Sequence, residues 1–353
     1  MKKDILKKIF FNQRIALPLT ILAAFYVAAA MAPFFSPYDY RQDDAFYVNA
    51  PPSKMHIMDL DRCYFGPFVY GRNYTVDEYY HRVYTEDKRA FYPINFFTTG
   101  CEYKAFGFFK SNLHLFGAGE AKLYLFGADN KGRDIFSRTI YGARVSLFIG
   151  LVAAAIALFI GLVIGGIAGY FGGMTDNILM RLCEVMMMAP AFYLILALRA
   201  SFPPSLTSTQ IYLLIVVILS LIGWASTARI IRGMAMGLAK SDFVTAARLS
   251  GLNDFKIIMR HILPHTLSYA LVAVFLSIPG YILGEASLSM VGLGIQEPEA
   301  SLGNLLSQAM GIVNIRLYPW ILFPGIFLLV AVMCFNALGE GLRDVFDPKR
   351  RNL

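Results

Sequence analysis

Long stretches without a single charge alternate along this chain with short polar joints. Charge-free runs cover Ile15–Tyr38, Val145–Thr175, Ala200–Ala228, Thr266–Gly284 and Leu317–Gly339. A bilayer core of roughly 30 Å takes about 20 apolar residues as helix, and each run is long enough to hold one. A sixth run, Val185–Phe202, is interrupted by Arg199 alone. An arginine near a helix end can reach the headgroups, so this run counts as a span too. The pattern predicts an all-α membrane protein with six transmembrane helices.

The joints carry their own patterns. "MKKDILKK" precedes the first run, as in a signal peptide, but the run exceeds the roughly 7–15 apolar residues of such a leader and reads as an uncleaved helix. Between the first two spans lie Tyr- and Phe-rich pieces, "DRCYFGPFVYG", "VDEYYHRVY", "AFYPINFFTTG" and "EYKAFGFF", broken by Gly, Pro and Asn. They read as strands and turns, a β-rich insertion whose aromatics form either a small core or a sticky surface. Gly161, Gly165 and Gly169 repeat every fourth residue of the second span, a spacing that lets helices approach closely in lipid. Pro190 and Pro279 are expected to kink their spans.

The longest polar joint between later spans, Arg229–His265, has helix signals. Ser241 or Asp242 can cap a helix containing Ala246 and Ala247, and Gly251 can end it. Asn253 or Asp254 can cap a second helix, with Pro264 at the entry to the fifth span. The loop therefore reads as helix–turn–helix, either a linker resting on lipid headgroups or a docking knob for a partner.

Composition and charge narrow the class. The chain is 57% hydrophobic and 16% charged, against roughly 25% charged in soluble domains. With a cytoplasmic N-terminus, the inside segments 1–14, 171–184, 229–265 and 340–353 hold 16 of the 32 Lys and Arg but 8 of the 24 Asp and Glu. The formal +8 thus sits inside and reports topology and contact with anionic lipid, not nucleic acid. Glu184 and Glu285 fall near span ends, where interfacial water would solvate them. Cys183 and Cys334 read as small packing residues, whereas Cys63 and Cys101 share the long outer segment and could form a disulfide. There is no G-x-x-x-x-G-K-[ST], no H-E-x-x-H and no Cys–His zinc spacing. No catalytic residue, metal site or cofactor is expected.

"TAARLSG" (Thr245–Gly251), followed nine residues later by "HILP", resembles the EAA signature of binding-protein-dependent ABC importer permeases, within the dipeptide/oligopeptide/nickel family. "FGADNKGRDIFSRTIYGARVSL", "GYFGGMTDNILMRLCEV", "GEASLSMVGLGIQEPEASLGNLL" and "PWILFPGIFLLVAVMCFNALGEGLRDVFDPK" are similar to further blocks of that family, in its order. The signature's first glutamate is Thr245 here, which removes an acidic contact from the knob. The isoleucine before "-LP" is His261, which fits the peptide branch.

The resemblance implies residues 1–38 as cytoplasmic N-terminus and first helix, 39–123 as extracytoplasmic insertion, and 124–353 as permease core. It implies that Thr245, Ala246, Ala247 and Gly251 couple the chain to a cytoplasmic ATPase, with Leu263 and Pro264 anchoring the loop. Arg248, Lys256 and Arg260 are then solvated or paired with the ATPase or lipid. Asp129, Gly132, Arg133, Asp134 and Arg138, a D-x-x-G-R-D-x-x-x-R segment, would cap the second helix, touch a partner permease or meet the receptor. Asp134 and Arg138 could pair across one helix turn. The implied partners are a second permease, ATP-binding subunits, an extracytoplasmic solute-binding protein and lipid. The implied place is the bacterial inner membrane with both termini cytoplasmic, and the implied cargo is peptide, with nickel or oligosaccharide as alternatives. A self-powered secondary transporter is a further alternative, but the inverted repeats typical of one are not evident.

Overall fold

The computed structural model describes residues 12–105, 109–188, 190–203 and 205–346. Helix α1 (Gln13–Ala30) is followed by a single turn, α2 (Ala32–Phe35). Five strands come next: β1 (His56–Asp59), β2 (Tyr64–Val76), β3 (Arg82–Pro93), β4 (Asn95–Ala105) and β5 (Phe109–Gly117). Then follow α3 (Ile135–Phe171), α4 (Gly173–Met188), α5 (Ala191–Ala200), α6 (Ser208–Leu238), α7 (Asp242–Leu249) and α8 (Asp254–Ile257). A π-helical turn, Ile258–Ile262, joins α8 to α9 (Leu263–Met290), and α10 (Leu302–Leu306), α11 (Ile312–Leu317) and α12 (Phe323–Phe346) complete the order.

The residues cluster into two compact units. One holds Met1–Leu22, Leu147–Leu288 and Ala331–Leu353; the other holds Ala23–Ser146 and Ser289–Val330.

Within the first unit, the glycine spacing does what the sequence promised. A Cβ on Gly161 would lie 2.7 Å from Thr227 Cβ, on Gly165 2.4 Å from the Ala228 carbonyl oxygen, and on Gly169 2.5 Å from the Arg232 carbonyl oxygen. All three glycines face α6, so backbone meets backbone along one seam.

Five described helical stretches are long and apolar enough to cross a membrane: Gln13–Ala30, Ile135–Phe171, Ser208–Leu238, Asp254–Met290 and Pro319–Val345. The expected third span, Val185–Phe202, is not one straight helix. It is shared between α4 and α5, which meet at 86°. With 16 and 10 residues, neither is as long as the roughly 20 residues a straight crossing takes. Pro190 sits at the break and precedes α5, as a residue without an N–H does where a helix must restart. Pro279, by contrast, is carried inside α9.

Two charges are placed otherwise than expected. Arg199 does not reach out of its helix: it is 3% exposed, with its Nε buried and lacking a hydrogen-bond partner. Glu285 is fully buried inside α9 rather than solvated at its end. Glu184 does stay at the surface, paired with Arg181 at 2.8 Å.

The insertion of the second unit is β-rich. β1, β2 and β3 form an antiparallel sheet in that order, and β4 pairs antiparallel with β5. Its aromatics divide: Phe68 and Phe116 are buried, whereas Phe65, Tyr80, Phe96, Phe97 and Phe109 are exposed. Cys63 lies in the turn between β1 and β2, and Cys101 lies on β4 of the other sheet. Both are exposed free thiols, so the disulfide considered above is not formed. Cys183 and Cys334 are buried, as packing residues should be.

Candidate functional site

The loop between α6 and α9 is a compact knob. Ser241 precedes α7 in extended backbone, but its hydroxyl donates to the Leu238 carbonyl and caps no helical N–H. Gly251, at φ +79°, ends the helix. Its N–H donates to Arg248 O (3.1 Å) and the Leu252 N–H to Ala247 O (3.3 Å), the bond pair of a Schellman stop. Asn253 then caps α8, accepting from the Lys256 N–H at 2.9 Å.

Pro264 does not mark the start of the fifth span, because the helical rod already begins at Asp254 and runs through it. A proline lacks the N–H that would reach back four residues, and its ring crowds the carbonyl there. The π-turn just upstream, in which the Leu263 N–H bonds Ile258 O five residues back, accommodates that misfit.

Ala246 and Ala247 do not form one small face. Ala247 turns inward with Val244, packing in a cluster with Ile257, Ile258, Ile262 and Leu263 and with Tyr170 of α3 and Ile231 and Ala235 of α6. Thr245 and Ala246 face outward with Leu249, which is 85% exposed, and Phe255 of α8, which is 66% exposed. Of the two expected anchors, Leu263 is buried and Pro264 is exposed.

One side chain that sequence reasoning missed holds the knob in place. The Tyr170 hydroxyl donates to Asp254 Oδ1 (2.5 Å) and accepts from Arg248 Nη2 (3.1 Å). The Arg248 guanidinium also lies 5.4 Å from the Tyr170 ring centroid. Arg248, expected to be solvated or to reach a partner, thus ties α7 to the end of α3. Phe243 stacks on His265 at 5.0 Å, joining α7 to α9. Nearby, Arg232 of α6 grips Asp176 of α4 through two parallel bonds, 2.7 and 2.5 Å long.

The second predicted segment, in the other unit, is a buried charge cluster. Asp129, Arg133, Asp134 and Arg138 are all at most 4% exposed. Asp129 Oδ1 accepts from the N–H groups of Lys131 and Arg133, both at 2.9 Å, and Oδ2 accepts from Arg133 Nε at 2.8 Å. Asp134 caps α3, accepting from the N–H of Phe136 (3.2 Å) and of Ser137 (3.0 Å). It is not the ion-pair partner of Arg138, which instead approaches Asp129 (3.6 Å) and Glu297 (3.8 Å) and donates to Tyr40 O (3.2 Å). Gly132, at φ +77°, is obligatory: a Cβ there would stand 1.9 Å from the Asp44 carbonyl oxygen.

Glu297 completes the cluster and was not singled out from the sequence. Arg133 Nη2 donates to it at 2.5 Å and Lys131 pairs with its other oxygen. Burial alone would raise the Glu297 carboxyl, but the bonds from Arg133 and Lys131 outweigh it and hold the group down at about 2. Only its place in the quoted stretch "GIQEPEASLGNLL" hinted at importance, since a contact spanning 164 residues leaves no local pattern. The cluster therefore fastens the segment after α2, the start of α3 and the loop before α10 to one another. All five predicted residues serve that fastening, and none presents a free charge to a ligand.

Residues 161–352, which include α6, the knob and α9, match the family described as binding-protein-dependent transport system inner membrane component. The chain belongs to this family and is a membrane permease component, not an enzyme. Among curated relatives, it is 42% identical over 224 residues to the oligopeptide transport system permease protein OppC of Escherichia coli (strain K12), covering 63% of this chain and 72% of that one. It is 36% identical over 232 residues to OppC of Bacillus subtilis (strain 168), covering 65% and 73%. It is 39% identical over 223 residues to the dipeptide transport system permease protein DppC of the same organism, covering 63% and 68%.

Proposed function

We propose that this chain is one half of the translocation path of an ATP-driven, binding-protein-dependent importer of peptides. Peptide is the cargo favoured by the names of the oligopeptide and dipeptide relatives. In this reading α4 and α5 together make one bent crossing, giving six spans. Both termini lie in the cytoplasm of a bacterial inner membrane, a placement supported by the inside segments, which hold 16 of the 32 basic residues but only 8 of the 24 acidic ones. Residues 39–123 form the extracytoplasmic insertion and 124–353 the permease core. A second permease completes the path, a solute-binding protein delivers peptide from outside, and cytoplasmic ATPases drive the cycle.

The knob is the observation that carries this reading. Its inner face is packed on α3 and α6, so a push on it moves the bundle, while Thr245, Ala246, Leu249 and Phe255 are left outward for an ATPase cleft. The charge cluster is a structural fastening in the same reading, next to the partner permease.

The test is Leu249→Asp in the reconstituted complex. A charge on this exposed apolar tip leaves the fold intact but opposes entry into a cleft. ATP-driven peptide uptake should fall at least about tenfold, and the ATPase should co-purify poorly. Undiminished uptake with a normally bound ATPase refutes the docking assignment. Gly251→Val is the companion: a Cβ there meets no atom within 4 Å, so only the left-handed backbone is strained, by about 1–2 kcal/mol. Uptake should be lost while the chain remains in the membrane.

A further inference from the structure

Outside the knob and the charge cluster, the second unit contains a cavity of about 820 Å³. It lies between the β4–β5 hairpin, the residues after α2 and the first turns of α3. Glu299, on the loop before α10, also lines it. Part of the lining is already satisfied. The Tyr40 hydroxyl donates to Glu299 Oε2 at 2.6 Å, and Arg41 Nη2 lies 2.7 Å from Glu299 Oε1. The Tyr40 ring stacks on Tyr141 at 4.0 Å.

The rest is open to water. Glu102 and Lys104 on β4 and Arg144 on α3 line the same space, are exposed, and make no ion pair or side-chain hydrogen bond among the described residues, so a ligand entering there displaces their water. Counted together, the lining holds three acids (Asp39, Glu102, Glu299) and three strong bases (Arg41, Lys104, Arg144), with four tyrosines between them.

That balance selects a ligand chemistry. A polyanion would meet three carboxylates, and a metal cation would meet three fixed positive charges. A wholly apolar ligand would strand the unpaired groups of β4 and α3. A ligand with one positive and one negative end, no net charge, and apolar or aromatic groups between them leaves nothing stranded. The volume lies within the roughly 300–1,000 Å³ range of small-molecule sites. A short peptide with free termini has this chemistry: its carboxylate can reach Arg144 or Lys104, its ammonium Glu102, and its side chains the tyrosine rings.

We propose that this cavity is a subsite for short zwitterionic peptides on the permease itself. The inference rests on the peptide-importer reading and deepens it, since it places a peptide contact on the chain rather than on the delivering receptor alone.

Cys101 lines the cavity and is exposed, which supplies a reporter. With Cys63→Ser, and with Cys183 and Cys334 buried, Cys101 becomes the accessible thiol. The importer complex is reconstituted in nanodiscs, and maleimide labelling of Cys101 is timed with and without the tripeptide Ala-Phe-Ala; peptide uptake is measured in parallel in proteoliposomes. The tripeptide should slow labelling saturably. The same sequence acetylated and amidated, lacking both end charges, should not. Arg144→Gln should raise the half-protecting concentration about tenfold.

Uptake without protection overturns the subsite and leaves the importer reading standing. Protection without uptake supports the subsite and overturns that reading; neither result overturns both. Labelling that slows when phosphatidylethanolamine replaces phosphatidylcholine, and ignores peptide, assigns the cavity to a lipid headgroup and overturns the proposal.

Discussion

Asp129→Asn tests whether the buried charge cluster holds the second unit together. Asp129 is 1% exposed, and both of its oxygens face donors: two N–H groups on one side and the Arg133 guanidinium on the other. An amide of the same shape has one acceptor oxygen, so either orientation sets its NH2 against a donor. The exchange also leaves two buried guanidinium groups, Arg133 and Arg138, sharing Glu297. Removing one partner of a buried ion pair costs about 3–5 kcal/mol, and the surviving carboxylate argues for the lower end, about 3 kcal/mol. Trp320 reports the site, because its Nε1 donates to the Ala128 carbonyl at 3.2 Å. The chain has two tryptophans, so Trp224→Phe isolates that signal. Denaturant titration of Trp320 emission in detergent should show the loss. Asp43→Asn is the control: Asp43 lies 3.7 Å from Arg133 Nε but is 62% exposed, and such a pair is worth under about 1 kcal/mol. Equal midpoints for the two variants would refute the reasoning, because burial would then make no difference.

Gly165→Leu should prevent assembly, since the Cβ alone would sit 2.4 Å from a carbonyl oxygen, and size-exclusion chromatography should show loss of the monodisperse protein. Gly237→Ala, on the same α6 that Gly165 meets but with nothing within 4 Å, should instead raise stability by up to about 1 kcal/mol, read as a higher midpoint in thermal unfolding followed by circular dichroism. Glu297 is held at about 2 against an ordinary 4.5, a depressed folded-state value. Its stabilisation is therefore complete above roughly pH 5 and is lost as pH falls towards 2. The Trp320 unfolding midpoint should drop across that window, and Glu297→Gln should flatten the drop; an unchanged slope would refute the assignment.

Spans were legible because the absence of charge over about 20 residues is a property of the chain alone. So was the seam of Gly161, Gly165 and Gly169, where spacing fixes which face is small. What the sequence could not supply was the neighbour of each residue. Val185–Phe202 is apolar enough to cross, and only the packed chain places its 86° turn at Pro190. Arg199 and Glu285 sit at positions that suggested water, yet both are buried. Distance from a helix end counts residues, while solvation depends on what packs alongside.

The knob divides along the same line. Its stops and caps, Gly251 and Asn253, are local hydrogen-bond chemistry and could be read directly. Which alanine faces out could not, because Ala246 and Ala247 are adjacent and differ by about 100° around a short helix. Tyr170 decides the matter from 78 residues away: it bonds Arg248, fixes the roll of α7, and so buries Ala247 and presents Ala246. The glutamate that Thr245 replaces would have pointed outward on that same side. With a threonine there and Arg248 turned to Tyr170, the outward surface is apolar at Leu249 and Phe255. In the proposed docking, Leu249 and Phe255 draw on excluded water and on shape, beside the exposed charges of Lys256 and Arg260.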